Sequence, residues 1–350
     1  MAYYLKYRPQ KVSDLDSEDI RLQFSEMFSK KNFPHAFLFT GSKGIGKTST
    51  ARIVAKIINC EKRSFSKSKG EFIEPCNKCE MCTSITKGNS LDVMEIDAAS
   101  NRGIDEMRSL REKISLAPSH ASYKVYIIDE VHMLTTEAFN ALLKTLEEPP
   151  QHVIFILCTT EIHKIPDTIS SRCTVVVFKK ASETELLNSL QRVVQGEKIK
   201  IENDALKLIA QFSDGSFRDG VKTLEHLVLR NNTSLTAEVV KKTIMSGDIN
   251  EKDLINLILN KKAKEALSII QKSAESGIDP RQLNHQLLNE LRTKLIMEVQ
   301  TKNGSNVTDI AKLIKLLTRA EGEIKYSPIG QLPIELAIVE YCFERGEVKR

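Results

Sequence analysis

The stretch Gly41-Ser42-Lys43-Gly44-Ile45-Gly46-Lys47-Thr48 fills every fixed position of the pattern G-x-x-x-x-G-K-S/T. An apolar run, Ala36–Thr40, precedes it, and a helix-forming run, Thr48–Asn59, follows. Glycines in such a loop let backbone N–H groups turn inward around a phosphate without Cβ clashes. The helix start at Thr48 and Ser49 adds unpaired N–H groups and the positive end of the helix dipole. In this pattern Lys47 reaches the β and γ phosphates of a nucleoside triphosphate, and the Thr48 hydroxyl ligates Mg²⁺. The loop residues Gly41, Ser42, Lys43, Gly44, Ile45 and Gly46, together with Lys47, Thr48 and Ser49, are the expected nucleotide-binding set.

Working outward, the first 180 residues alternate short apolar runs with amphipathic ones. Expected strands are Ala36–Thr40, Asp92–Ile96, Lys124–Ile128, Val153–Leu157 and Thr174–Phe178, and helices are expected over Thr48–Asn59, Ile104–Ile114 and Glu137–Glu148. Strands alternating with helices predict a wound α/β parallel sheet. Beyond about Lys180 the pattern becomes helical, with segments Glu183–Val194, Asn203–Phe212 and Phe217–Arg230 as a small bundle. Five more helices follow: Glu251–Leu259, Ala263–Glu275, Pro280–Val299, Val307–Ala320 and Pro333–Phe343, with a polar loop over Thr301–Val307. The expected domains are 1–180, 181–246 and 247–350.

Val125-Tyr126-Ile127-Ile128-Asp129-Glu130-Val131-His132 is an apolar strand ending in two carboxylates. Asp129 at the strand tip suits Mg²⁺, directly or through water. Glu130 suits polarising an attacking water. A solvated strand end with two surface acids is the plainer reading; the intact phosphate loop upstream favours the catalytic one.

Cys76-Asn77-Lys78-Cys79-Glu80-Met81-Cys82 gives C-x-x-C-x-x-C, and Cys60 ends the helix after the phosphate loop. Four thiolates suit a tetrahedral, structural Zn²⁺ site. An iron–sulfur cluster also takes four cysteines, and free thiols are a third possibility. The residues between Cys60 and Cys76 are rich in Lys, Ser and Glu and read as a flexible surface excursion. Cys158, Cys173 and Cys342 sit in apolar surroundings and read as buried, inert thiols.

The chain of 350 residues is 41% hydrophobic and 28% charged, which places it with soluble globular proteins of two or three domains. Its net charge of +5 permits nucleic-acid contact without requiring it. No apolar run approaches the roughly 20 residues of a membrane span, and Met1–Pro9 holds no apolar signal core. A cytoplasmic location is the default expectation.

The phosphate loop, Ile-Asp-Glu-Val-His at 128–132, Ser-Arg-Cys at 171–173 and Gly-Ser-Phe-Arg-Asp at 215–219 come in the order found in AAA+ clamp-loader ATPases. The Cys60/Cys76/Cys79/Cys82 insertion resembles the zinc module of the bacterial DNA polymerase III gamma/tau family at 60–82. The runs Phe139–Pro150 and Glu95–Ser100 are similar to that family too. The resemblance implies an AAA+ sheet domain, a helical lid and an all-α collar. It implies ATP, Mg²⁺ and Zn²⁺ as ligands. Thr160, or its neighbour Thr159, would sense the γ-phosphate, and Arg218 would reach the nucleotide from the lid. Arg8 and Pro9 would lie near the nucleotide, and Arg172 would act as an arginine finger in a neighbouring subunit's site. Implied partners are other clamp-loader subunits in a hetero-pentamer, a sliding clamp, primer–template DNA and single-stranded-DNA-binding protein. Ending at Arg350, the chain lacks the tail with which tau-type members bind polymerase and helicase, so a short, gamma-like form or a fragment is expected.

Three other readings compete. A non-hydrolysing clamp-loader subunit of the delta-prime type would share Ser171-Arg172-Cys173 but usually has a damaged phosphate loop. A helicase would need a second motor domain, for which the helical C-terminal half offers no strands. A zinc-dependent scaffold would hold nucleotide without turnover.

Overall fold

The computed structural model describes residues 2–29, 33–62, 64–65, 73–100, 114–230, 235–244, 251–275, 278–300 and 307–343. The chain divides into two compact units, Met1–Val240 and Lys241–Arg350.

The first unit is built on five parallel strands: β1 (Ala36–Thr40), β4 (Val93–Asp97), β5 (Lys124–Asp129), β6 (Val153–Thr159) and β7 (Thr174–Val177). Their spatial order is β4-β5-β6-β1-β7. Every residue of β1 and β6 is buried, as expected of central strands covered on both faces. Alternation divides their side chains between two cores. Phe37 and Phe39 join Phe24, Phe28 and Ile53 on one face. Leu38 and Phe155 join Tyr126, Leu142 and Leu146 on the other.

Helix Lys47–Asn59 follows the phosphate loop, and its long apolar face fills the first core. Helix Thr136–Glu147 starts at Thr135, whose hydroxyl accepts the Ala138 N–H at 3.3 Å, and stops before Pro149-Pro150. Helices Glu183–Glu197, Asn203–Phe212 and Phe217–Arg230 then form the small bundle; a reciprocal capping box of Ser182 and Glu185 opens the first. The second unit contains helices Glu251–Leu259, Ala263–Glu275, Pro280–Gln300, Val307–Ile324 and Leu332–Phe343. Their apolar stripes meet in one core that includes Leu254, Leu287, Leu313 and Ile338. Among the described residues, no helix is long and apolar enough to cross a membrane.

The helix expected over Ile104–Ile114 and the loop over Thr301–Val307 lie, but for their last residues, outside the described residues. Helices Glu18–Ser29 and Glu80–Lys87 were not foreseen. Part of the Cys60–Cys76 excursion is an antiparallel pair, β2 (Ser64–Phe65) with β3 (Ile73–Glu74). Its last residue is no surface acid: Glu74 is buried and accepts the Val12 and Ser13 N–H groups at 2.9 and 2.8 Å.

Strand β4 begins one residue later than expected because Asp92 serves the turn before β5. Its buried carboxylate accepts N–H groups of Ser119, His120 and Ala121 at 2.8, 2.8 and 2.9 Å. Burial alone would push this carboxyl up, but the three N–H donors and Lys124 hold it below its ordinary value. A depressed carboxyl stabilises the fold above its unfolded pKa of about 3.9, and the contribution is lost as pH falls through the lower folded value. Asp92→Ala should therefore cost the first unit about 2–4 kcal/mol at pH 7. The gap should narrow below pH ~4. Urea titrations followed by circular dichroism at pH 7 and pH 3.5 check this; an undiminished gap at the lower pH would remove the charged carboxylate as its source.

Candidate functional site

Strand order assembles the site. β6 lies between β1 and β5, so with strands about 4.8 Å apart the phosphate loop and the paired acids emerge about 10 Å from each other. The tip of β6 lies between them, and Gly41 N–H donates to Thr159 O at 3.2 Å. This is the carboxyl edge of a parallel sheet, where such folds bind ligands. Thr48 Oγ1 crosses the gap and donates to Asp129 Oδ2 at 2.7 Å. Lys47 Nζ donates to Gly41 O at 2.7 Å and Ser42 O at 2.8 Å. Burial pushes the Lys47 ammonium below its ordinary value, while Glu130 draws it back up.

Glu130 takes a left-handed backbone, φ 48° and ψ 44°, which an L-residue adopts at a cost. Its Oε2 accepts the Thr160 hydroxyl at 3.0 Å. Thr159, fully buried, is used differently: its hydroxyl accepts the Glu161 N–H at 3.0 Å and meets His132 Nδ1 at 3.1 Å. Of the two threonines at this strand end, Thr160 is the one that touches the candidate base.

The loop is closed from above by the small bundle. Arg218 N–H donates to Gly44 O at 3.2 Å. Gly44, at φ +79°, leaves no room for a side chain, since a Cβ would lie 2.1 Å from Ser216 Oγ. Between loop, acids and bundle runs an open cleft, whose lining includes Arg8, Pro9, Lys43, Ser49, Glu130 and Arg218. Burial lowers the Arg8 guanidinium from its ordinary value, as does nearby Arg52, while Glu95 opposes them. Gly41 and Ser42 do not line the cleft; their carbonyls hold Lys47.

Arg172 is not brought to this cleft. Its guanidinium pairs with Glu147 Oε1 at 2.7 Å and donates to Thr168 O at 2.7 Å.

The four expected cysteines do meet: the Sγ atoms of Cys60, Cys76, Cys79 and Cys82 all lie within 4.8 Å of one another, and none is in a disulfide. A tetrahedral Zn²⁺ with bonds of about 2.3 Å sets its sulfurs about 3.8 Å apart, so the cage fits. Backbone N–H groups of Lys78 and Cys79 point at Cys76 Sγ at 3.4 and 3.2 Å, the former chiefly holding that thiol down at about 6. Asn77, at φ 54°, turns the chain for them. Cys158 is fully buried, while Cys173 and Cys342 are only half-buried; burial raises all three thiols.

Sequence reasoning missed four further lining residues, Tyr4, Tyr7, Asp16 and Phe217. The Arg218 guanidinium lies 5.8 Å from the Tyr4 ring centroid. It also gave no role to His132, although this residue closes the Asp-Glu-Val-His run. Its buried imidazole stands 3.5 Å from Glu130 Oε2 and 3.3 Å from Glu161 Oε1.

The family described as "DNA polymerase III, delta subunit" matches residues 17–182, and "DNA polymerase III clamp loader subunit, ATPase lid domain" matches residues 185–224. DNA polymerase III subunit tau of Bacillus subtilis is 36% identical over 97% of this chain and 63% of its own length. Subunit gamma of Buchnera aphidicola subsp. Schizaphis graminum is 34% identical over 97% of both chains, and Escherichia coli subunit tau is 31% identical over 95% of this chain and 54% of its own. The chain thus spans about the whole of the gamma relative and only part of the tau relatives. A Thermotoga maritima RuvB variant superposes with a TM-score of 0.50 at 16% identity, over 78% of this chain and 86% of that one, a likeness of fold alone. With its parallel sheet, phosphate loop, helical lid and helical C-terminal unit, the chain belongs to the gamma/tau family of DNA polymerase III clamp-loader subunits, AAA+ proteins by fold.

Proposed function

We propose that this chain is an ATP-hydrolysing subunit of the DNA polymerase III clamp loader. It would couple ATP binding and hydrolysis to loading of a sliding clamp on primer–template DNA during replication. One observation carries the reading: Thr48, joined to Asp129, shares a single cleft with Arg218 and with Glu130, whose carboxylate accepts the Thr160 hydroxyl.

Lys47, released from its two loop carbonyls, has the reach and charge to grip the β and γ phosphates. Thr48 and Asp129 offer adjacent oxygen donors of the kind Mg²⁺ takes, and the ion would neutralise charge on those phosphates. Glu130 orients and polarises the attacking water, and Thr160 sets the carboxylate's direction. Arg218 contacts the nucleotide from the lid, while Arg8 and Pro9 border it from the other side. Lys43 through Ser49 wrap the phosphates with backbone N–H groups, while Gly41 and Ser42 support the loop from behind through Lys47.

Arg172, which does not line its own cleft, completes the site of an adjoining subunit. Cys60, Cys76, Cys79 and Cys82 hold a structural Zn²⁺, which on binding ties helix end and knuckle together. The second unit is the collar of a hetero-pentamer; exposed Tyr326, Ile329, Leu336 and Phe343 supply apolar surface for such packing. Single-stranded-DNA-binding protein is a further partner on this reading, and the cytoplasm its location.

Glu130→Gln should retain ATP binding and lower turnover about 10²- to 10⁴-fold, measured as phosphate release beside equilibrium nucleotide titration. Unchanged turnover would remove Glu130 from the reaction. Arg172→Ala should leave nucleotide affinity of the isolated chain intact, yet lower turnover about 10³-fold in an assembly with partner subunits, clamp and primed DNA. Full turnover there would sink the trans-finger assignment, and inertness of the wild-type assembly would favour the scaffold reading. Elemental analysis should find zinc and no iron; iron would replace the zinc assignment with a cluster.

A further inference from the structure

The cysteine cage and the nucleotide cleft share two connections. The first is helix Lys47–Asn59, which begins with the phosphate-gripping pair Lys47 and Thr48 and runs directly into Cys60. At 1.5 Å per residue this rod is about 20 Å long. The second is the N-terminal segment. Asn77, inside the cysteine knuckle, donates from Nδ2 to Gln10 O at 3.2 Å. Lys56, 1% exposed on that same helix, donates to Asn77 Oδ1 at 3.1 Å and to Gln10 Oε1. Gln10 Nε2 in turn donates to Arg8 O at 3.0 Å. Thus cage, rod and segment form a closed triangle, with Lys56, Gln10 and Asn77 at its inner corner.

We propose that Gln10 and Asn77 are positioning residues that couple metal loading of the cysteine cage to nucleotide affinity at the cleft. The proposal rests on reading the cleft as an ATP site. A metal bound by four thiolates fixes the knuckle that presents Asn77. Asn77 and Lys56 then hold Gln10, and Gln10 holds the backbone of Arg8 at the cleft wall. Lys47 and Thr48, which line the same cleft, are fixed to the same cage through Cys60. Loading therefore sets the spacing between Arg8 and the Lys47–Thr48 pair. By thermodynamic reciprocity, nucleotide must tighten metal retention by the same factor.

Two substitutions isolate the connection. Asn77→Gly deletes the amide while suiting a backbone at φ 54°, so the knuckle keeps its turn. Gln10→Ala cuts the segment side. The full chain is titrated with Mg-ATP in zinc-loaded and zinc-stripped forms, and zinc loss to a chelator is timed with and without Mg-ATP. Wild type should lose about five- to fifty-fold in ATP affinity on stripping, and ATP should slow zinc loss. Zinc-loaded Asn77→Gly and Gln10→Ala should keep full zinc content, bind ATP as weakly as stripped wild type, and lose the ATP effect on zinc retention. A role in folding alone would leave that last effect in place. Equal ATP affinity of loaded and stripped wild type, or wild-type affinity and zinc protection in both variants, would overturn the proposal. Should the stripped chain lose its fold by circular dichroism, the loaded variants decide alone. Lys47→Ala is the separate control: if it binds ATP like wild type, or wild type binds none, the ATP-site reading fails, whatever the variants do.

Discussion

A single strand, β6, separates the phosphate loop from the paired acids, and its width is the distance the site must bridge. Right-handed crossovers and burial on both faces leave β1 and β6 in the middle of the sheet. The loop after β1 and the acids after β5 are then held two strand spacings apart, close enough for Thr48 to reach Asp129 with one hydrogen bond. The same spacing gives Thr160 its place. A residue just past β6 stands between the two motifs whatever its identity, and a hydroxyl there meets the carboxylate of Glu130. Glu130 completes the fit by turning into the left-handed region, which swings its side chain from the strand line toward Thr160.

The third wall comes from further away in sequence. Residues 3–16 lie along the helices Glu183–Glu197 and Phe217–Arg230. Tyr7 OH donates to Glu197 at 2.9 Å, Tyr3 N–H to Glu225 at 3.2 Å, and Arg192 to Asp14 O at 2.8 Å. The exposed Lys6–Glu197 pair contributes little energy for its 2.6 Å length. Close packing matters more: Gly196 fits because a Cβ there would sit 2.2 Å from Tyr7 OH. An N-terminal strap fastened to both lid and cysteine module makes those parts one frame around the cleft.

The legible parts of this architecture were those with local signatures. Glycine spacing marked Gly41–Thr48, β-branched runs marked the central strands, and three cysteines within seven residues marked the cage. Helix Phe217–Arg230 was also found to its ends, because its apolar period is unbroken. The illegible parts depend on contacts between distant residues. Tyr4 and Asp16 belong to short or irregular segments without periodicity, and nothing in their neighbourhood announces a cleft wall. Nor does sequence reveal that Glu130 adopts positive φ, or that Glu74, between Ile73 and Pro75, turns inward to satisfy two N–H groups. Arg172 was legible only through family resemblance, since its own surroundings are an ordinary pairing with Glu147.

The lid's hold on the phosphate loop separates two duties that resemblance alone merges in Arg218. Docking uses the backbone: Arg218 N–H meets Gly44 O, and Ser216 fills the space that Gly44 leaves. Neither contact needs the guanidinium, which instead stacks near Tyr4 at the cleft. The side chain is therefore free to answer to a bound anion while the lid stays docked through its main chain. Its present neighbour, Tyr4, belongs to the N-terminal strap, and Lys222 Nζ lies 5.4 Å from the centroid of the same ring. A guanidinium drawn toward phosphate would give up part of its cation–π contact, worth about 0.5–1 kcal/mol at an exposed site. That cost is small beside the charge-assisted hydrogen bonds a phosphate offers. If nucleotide binds the cleft as proposed, this geometry favours movement of the Arg218 side chain toward it over any undocking of the lid.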